Sequence, residues 1–236
     1  MESNAILQAF EIYDGKYKRD AIDAAIARRE EIIPHLIAVL ESVLENPAHY
    51  ADRDRHYFAH VYAFILLGYF KESKAHEIII DLASLPGDLP SELFGDSITG
   101  DLEIVLLRTC AGRIDKIKEL ILNKDAYEYS RVAALHALTY AVVEGYVPRE
   151  EVLAFFQGLF TGDEASDTDS FHDILAICIY ELYPEELMKT IEKAYEEGLI
   201  HSGYVGLGEF TEVLKTGKEN SLEKLRIQVE QNQGTV

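Results

Sequence analysis

The sequence predicts an all-α protein, specifically a HEAT-like α-α superhelix of stacked antiparallel helix pairs. Three observations carry that expectation. Apolar residues recur at helical spacing along almost the whole chain, while strand-like alternation is rare. Prolines and glycines fall between the amphipathic runs, at the places where helices start and stop. One helical segment also resembles another about 76 residues downstream, or two units of roughly 38, which is near the period of HEAT-type helix pairs.

The elements follow in order. Helical spacing predicts about a dozen short helices near residues 4–13, 18–29, 34–45, 54–70, 73–84, 99–111, 114–123, 130–144, 148–159, 168–182, 184–197 and 208–214, and a charged helix near 221–231. Pro34, Pro148 and Pro184 are each read as opening a helix, where a missing N–H costs nothing. Gly15, Gly112, Gly145 and Gly198 are read as helix ends. The repeat similarity aligns DRHYFAHVYAFILLGYF, beginning at Asp54, with SRVAALHALTYAVVEGY, beginning at Ser130. Asp54 and Ser130 match as N-caps, Arg55 matches Arg131, and His60 matches His136. In the first of these helices Phe58, Val61, Tyr62, Ile65, Leu66 and Tyr69 form one apolar stripe, and Ala63, Phe64, Leu67 and Phe70 form another. A helix apolar on both sides needs neighbours on both sides, which a stacked solenoid provides. The expected organisation is a single domain over 1–236, with capping helices at 1–50, a repeat core at 51–215, and a charged helix with a frayed tail at 216–236.

Several segments carry a resemblance: REEIIPHLIAVLESVLENP (29–47), HVYAFILLGYF (60–70), LPGDLPSELFGDSITGDLEIVLLRTCAG (85–112), PREEVLAFFQGLF (148–160) and YPEEL (183–187). Together they resemble an uncharacterised bacterial family known as domain of unknown function 1186. The resemblance implies a HEAT-like α-solenoid and transfers no activity. Some members of that family append a cysteine-rich zinc motif at the C-terminus, and the corresponding cysteines are absent from this sequence.

Charge narrows the function classes. Asp and Glu number 42 against 22 Lys and Arg, a net charge of −20. Such a surface repels phosphate backbones and anionic lipid, so neither nucleic acid nor membrane is an expected partner. The two cysteines, Cys110 and Cys178, lie in separate apolar helical segments and read as small buried hydrophobes in a reducing compartment. The N-terminal MESNAILQAFEIYDGKYKRD lacks the layout of a signal peptide, and the longest apolar stretch, 61–70, is about half of what a membrane span needs. The expected location is cytoplasmic.

Chemical motifs are sparse. P-loop, dinucleotide-binding, GxSxG and HExxH signatures are missing, and no cofactor is expected. His56 and His60, four apart, would share a helical face and could reach a metal, but no third ligand follows at motif spacing, so they also read as histidines at the edge of a core. The acidic loop at 162–173 fails the calcium-loop pattern and reads more simply as a helix cap built on Ser166 or Thr168. The connection at 86–99 is long for a repeat link and acidic, with Asp96 and Asp101 as candidate contacts; it reads equally as an Ω-like cover. The best-supported expectation is a protein- or peptide-binding scaffold using the concave face of the solenoid, with Arg55, His60, Arg131, His136, Asp96 and Asp101 as candidate binding residues. The alternative is a lyase or metal-dependent hydrolase near His56 and His60. A homodimer is compatible with either.

Overall fold

Helical periodicity becomes helix throughout. The computed structural model describes residues 1–52, 56–165 and 170–233, and among these it contains sixteen α-helices and no strand longer than an isolated bridge. In chain order they are α1 (Ser3–Glu11), α2 (Arg19–Ala27), α3 (Arg29–Glu45), α4 (Pro47–Tyr50), α5 (Ala59–Tyr69), α6 (His76–Ala83), α7 (Leu89–Phe94), α8 (Ser97–Gly100), α9 (Leu102–Cys110), α10 (Asp115–Leu122), α11 (Glu128–Val143), α12 (Arg149–Gln157), α13 (Phe171–Glu181), α14 (Met188–Glu196), α15 (Leu207–Thr216) and α16 (Lys218–Gln233). The protein is all-α. No described helix is long and apolar enough to cross a membrane.

The helices pack in a sequential order. One row runs α3, α5, α9, α11, α13, each against the next. Behind it α6 packs on α3, α9 and α10, while α10 and α12 pack on α11. The side-chain contacts between units recur at nearly constant sequence separation. His60 to Leu93, His76 to Thr109 and Lys118 to Glu151 are each 33 residues apart. Tyr140 to Glu103 and Arg149 to Glu186 are each 37 apart. A stack in which each unit meets only its neighbour produces this pattern, so the packing fits the expected helix-pair repeat. The apolar residues of the row form one continuous core, with Phe64, Leu67, Val105, Leu138, Leu175 and Ile179 inside it.

Some local expectations change. Pro34 lies inside α3 instead of opening it, because Ile32 and Ile33 are buried and draw the helix back to Arg29. Pro184 is followed by a 3-10 turn (Glu185–Leu187), and α14 begins only at Met188. Ser130 is not an N-cap: α11 starts two residues earlier, and the buried Ser130 hydroxyl has no hydrogen-bond partner. The connection at 86–99 is not an irregular loop. It folds into α7 and α8, whose Leu93, Phe94 and Ile98 join the core. The proposed caps Asp54, Ser166 and Thr168 lie outside the described residues. Cys110 and Cys178 are buried free thiols, as their apolar settings predict.

Candidate functional site

The sequence-derived candidates converge only in part: His56, His60 and Asp96 line one open cleft of about 430 Å³, and Arg131, His136 and Asp101 are not part of its lining. His60, at the second position of α5, is 1% exposed. Its Nε2–H donates to the Leu93 carbonyl at 2.6 Å. The ring stacks on Tyr57 with centroids 5.6 Å apart and meets the edge of Phe94 at 5.4 Å. Burial lowers its pKa, the Leu93 carbonyl opposing in part, so the side chain is a neutral staple between α5 and α7. His56 precedes α5 and has φ 51°, so the two histidines do not share a helical face. That removes the spacing argument for a metal pair. Among the described residues no group of three or more His, Cys, Asp or Glu is arranged to hold a metal ion.

Arg131 is 3% exposed. Its Nε donates to the Ile121 carbonyl at 3.0 Å and its guanidinium lies 4.3 Å from the Phe171 ring centroid, so it joins α10, α11 and α13 from within. His136 faces α13, with Nδ1 3.8 Å from Cys178 Sγ, and burial pushes its pKa down to about 4. Asp96 is exposed just before α8, and Asp101 sits between α8 and α9. Arg55 lies outside the described residues. In the acidic loop, Glu164 accepts from Thr161 and Gly162, and buried Asp173 accepts from the His201 backbone at 2.6 Å and from its ring at 3.1 Å. Both carboxylates are thus engaged by protein donors.

The arrangement that does draw polar groups together lies on α9, α11 and α13. Tyr140 Oη donates to Glu103 at 3.3 Å. Glu181, on the next helix of the row, accepts from Gln228 of α16 at 3.4 Å, and its other oxygen is buried with no partner. Burial pushes both carboxyls up to about 7; Tyr140 opposes at Glu103 and Gln228 at Glu181, and the Glu103 charge raises Glu181 further. The Tyr140 hydroxyl is pushed up by burial and by both carboxylates. Sequence reading missed this group. The available signal was one glutamate in each of two apolar helices, LEIVLLRTC and FHDILAICIYE.

Helix α16 lies back across this row. It packs on α11, α13 and α15. Gln233 Nε2 donates to Glu144 at 2.8 Å, and the Gln233 carbonyl accepts from Arg108 of α9. Tyr69 of α5, which interacts electrostatically with Arg108, lines an open cleft of about 570 Å³ together with Tyr62 and Ile65 of α5 and Ile22 and Ile26 of α2. Tyr69 is 44% exposed there, so the stripe read as buried on α5 is half open.

The family model described as "Protein of unknown function (DUF1186)" matches residues 1–233. The chain belongs to this family. Two bacterial relatives, from Chlamydia trachomatis serovar D and Chlamydia muridarum, are each 31% identical over 214 residues, and each is described as an uncharacterized protein. The match covers 91% of this chain and 84% and 85% of the two relatives. No solved structure matches the chain.

Proposed function

We propose that this family member is a protein- or peptide-binding scaffold of the HEAT-like kind, and that the face formed by α5, α9, α11 and α13 receives amphipathic helices. The observation that carries this reading is the placement of α16. The chain lays one of its own helices along that face, held by Arg108 of α9, Glu144 just after α11 and Glu181 of α13. The adjoining cleft has what a second helix requires: apolar walls, exposed tyrosine and isoleucine, and polar rims at Arg19, Asp23 and Asp101. His60 and Arg131 hold helices of the stack in register through the Leu93 and Ile121 carbonyls.

Peptide display against the purified chain tests this. Selected sequences should be amphipathic helices, and their affinity should fall about tenfold or more on an Ile65→Asp/Tyr69→Asp chain, since burying an unpaired carboxylate opposes docking. Binders indifferent to those substitutions would remove the reading.

A further inference from the structure

We propose that α16 is an intramolecular placeholder, displaced by a cationic amphipathic helix of a partner protein that brings a lysine or arginine to Glu103 and Glu181. The inference rests on the helix-binding reading above and specifies the partner's chemistry.

The first support is how α16 sits. Side-chain contacts between successive units of the stack span 28 to 42 residues, as in Asp173 to His201, His60 to Leu93 and His136 to Cys178. Those of α16 with the row and with α12 span 47 to 125 residues, so it folds back over units that have already found their neighbours. It is lightly held. Of its sixteen residues only Ser221, Leu225 and Val229 are buried, and a single residue, Gly217 with φ 81°, joins it to α15.

The second support is what α16 fails to supply. A carboxylate withdrawn from water is costly unless a cation meets it. Among the described residues neither Glu103 nor Glu181 has a lysine or arginine within ion-pair distance; their donors are the neutral Tyr140 hydroxyl and Gln228 amide. Two of the three cations of α16 are directed elsewhere, Lys218 to Glu150 at 3.8 Å and Arg226 to Glu223 of its own helix. Lys224 lines a cleft of about 390 Å³ that Glu181 and Gln228 also line, which leaves room there for another side chain. A helix presenting a cation at the position of Gln228 would satisfy Glu181 where α16 offers an amide. The net charge of −20 raises the local concentration of such a partner.

The test uses the full chain and two labelled synthetic peptides, one with the sequence of residues 218–233 and one carrying Gln228→Lys. The lysine peptide should bind about tenfold or more tightly than its parent, the range of a charge-assisted hydrogen bond. That advantage should vanish on a Glu103→Gln/Glu181→Gln chain, and amide exchange across 218–233 of the wild-type chain should quicken when the peptide binds. As a second measurement that needs no loss of a carboxylate, Gln228→Lys in the full chain should slow exchange across α16. Equal affinity of the two peptides, a lysine advantage that survives the glutamine substitutions, or unchanged exchange in the Gln228→Lys chain overturns the proposal. If helices from peptide display bind while neither of these peptides does, the placeholder fails and the helix-binding reading stands; if no helix binds, both fail. A dimer seen by native mass spectrometry with α16 exchanged between copies would replace the partner protein with a second copy of this chain.

Discussion

Arg149 is 5% exposed, yet it opens α12 with a full set of partners. Its guanidinium donates to the carbonyls of Leu182 and Tyr183 and forks onto Glu186 at 2.6 and 2.7 Å. Arg149→Ala strands two carbonyls at the end of α13, and urea titration should show a loss of about 2–4 kcal/mol; a change under about 0.5 kcal/mol, typical of a surface site, would count against the clamp. The buried acids and histidines give a pH signature with two signs. Burial is the first cause in each case. Glu103 and Glu181 titrate at about 7 instead of 4.5, so the native chain holds their protons more tightly than the unfolded chain does. The stability they confer is complete below 4.5 and is lost as the pH rises through 7. His76 and His136, pushed from 6.5 to about 4, act oppositely: their contribution is complete above 6.5 and is lost as the pH falls through 4. The slopes oppose each other between 4.5 and 6.5, and the carboxyl slope stands alone just above. Glu103→Gln/Glu181→Gln should therefore raise Tm relative to wild type by several °C more at pH 8 than at pH 5. Equal shifts at the two pH values would show that the carboxyls are not buried as described. Neither group was legible beforehand, because a lone glutamate in an apolar helix reads the same whether it faces water or a neighbouring helix.

At the scale of elements, the close approach of α5 and α9 is set by one glycine. A Cβ on Gly68 would lie 2.7 Å from Val105 Cγ2, and the branched valine cannot swing aside. Gly68→Ala should cost about 1–3 kcal/mol by overpacking, despite the better helix propensity of alanine. Adding Val105→Ala should recover part of that loss; a double variant as unstable as the sum of its single changes would place the strain elsewhere. Helix starts were legible where the first turn met no competing burial. Pro148 directly precedes α12, with Glu150 and Glu151 in the first turn, as the sequence pattern predicts. They were misread where core contacts extended a helix backwards, as at Ile32 and Ile33 in α3. The segment at 86–99 was misread for a related reason. Its helices α7 and α8 have six and four residues, too short to show a period, and they are held by Leu93, Phe94 and Ile98 seated in the core.

Over the whole molecule, the packing fits the repeat expected from the sequence, since a stack asks each unit for similar side chains at similar spacing. His60 and His136 were matched by sequence, and each does turn toward the following unit, one to Leu93 and the other to Cys178. Equivalence within a repeat reports shared packing before it reports shared ligands. Contacts between neighbouring units carry the stack, so most substitutions should act locally. Although Leu225 is itself 3% exposed, Leu225→Ala should destabilise the chain by no more than about 1–2 kcal/mol, below the 2–5 usual for a buried leucine, because few of its helix neighbours are buried and α16 can undock as a unit. A loss as large as that of Leu138→Ala would show that α16 is integral to the stack. By itself the sequence determined the all-α class, the acidic balance of charge and the burial of both thiols, because each depends on composition or on local contacts. Only the tertiary structure decided which stripe of α5 stays open, which carboxylates are withdrawn from water, and that α16 lies back across α9, α11 and α13. Those outcomes depend on contacts as far as 125 residues apart, where no local pattern constrains which surfaces meet.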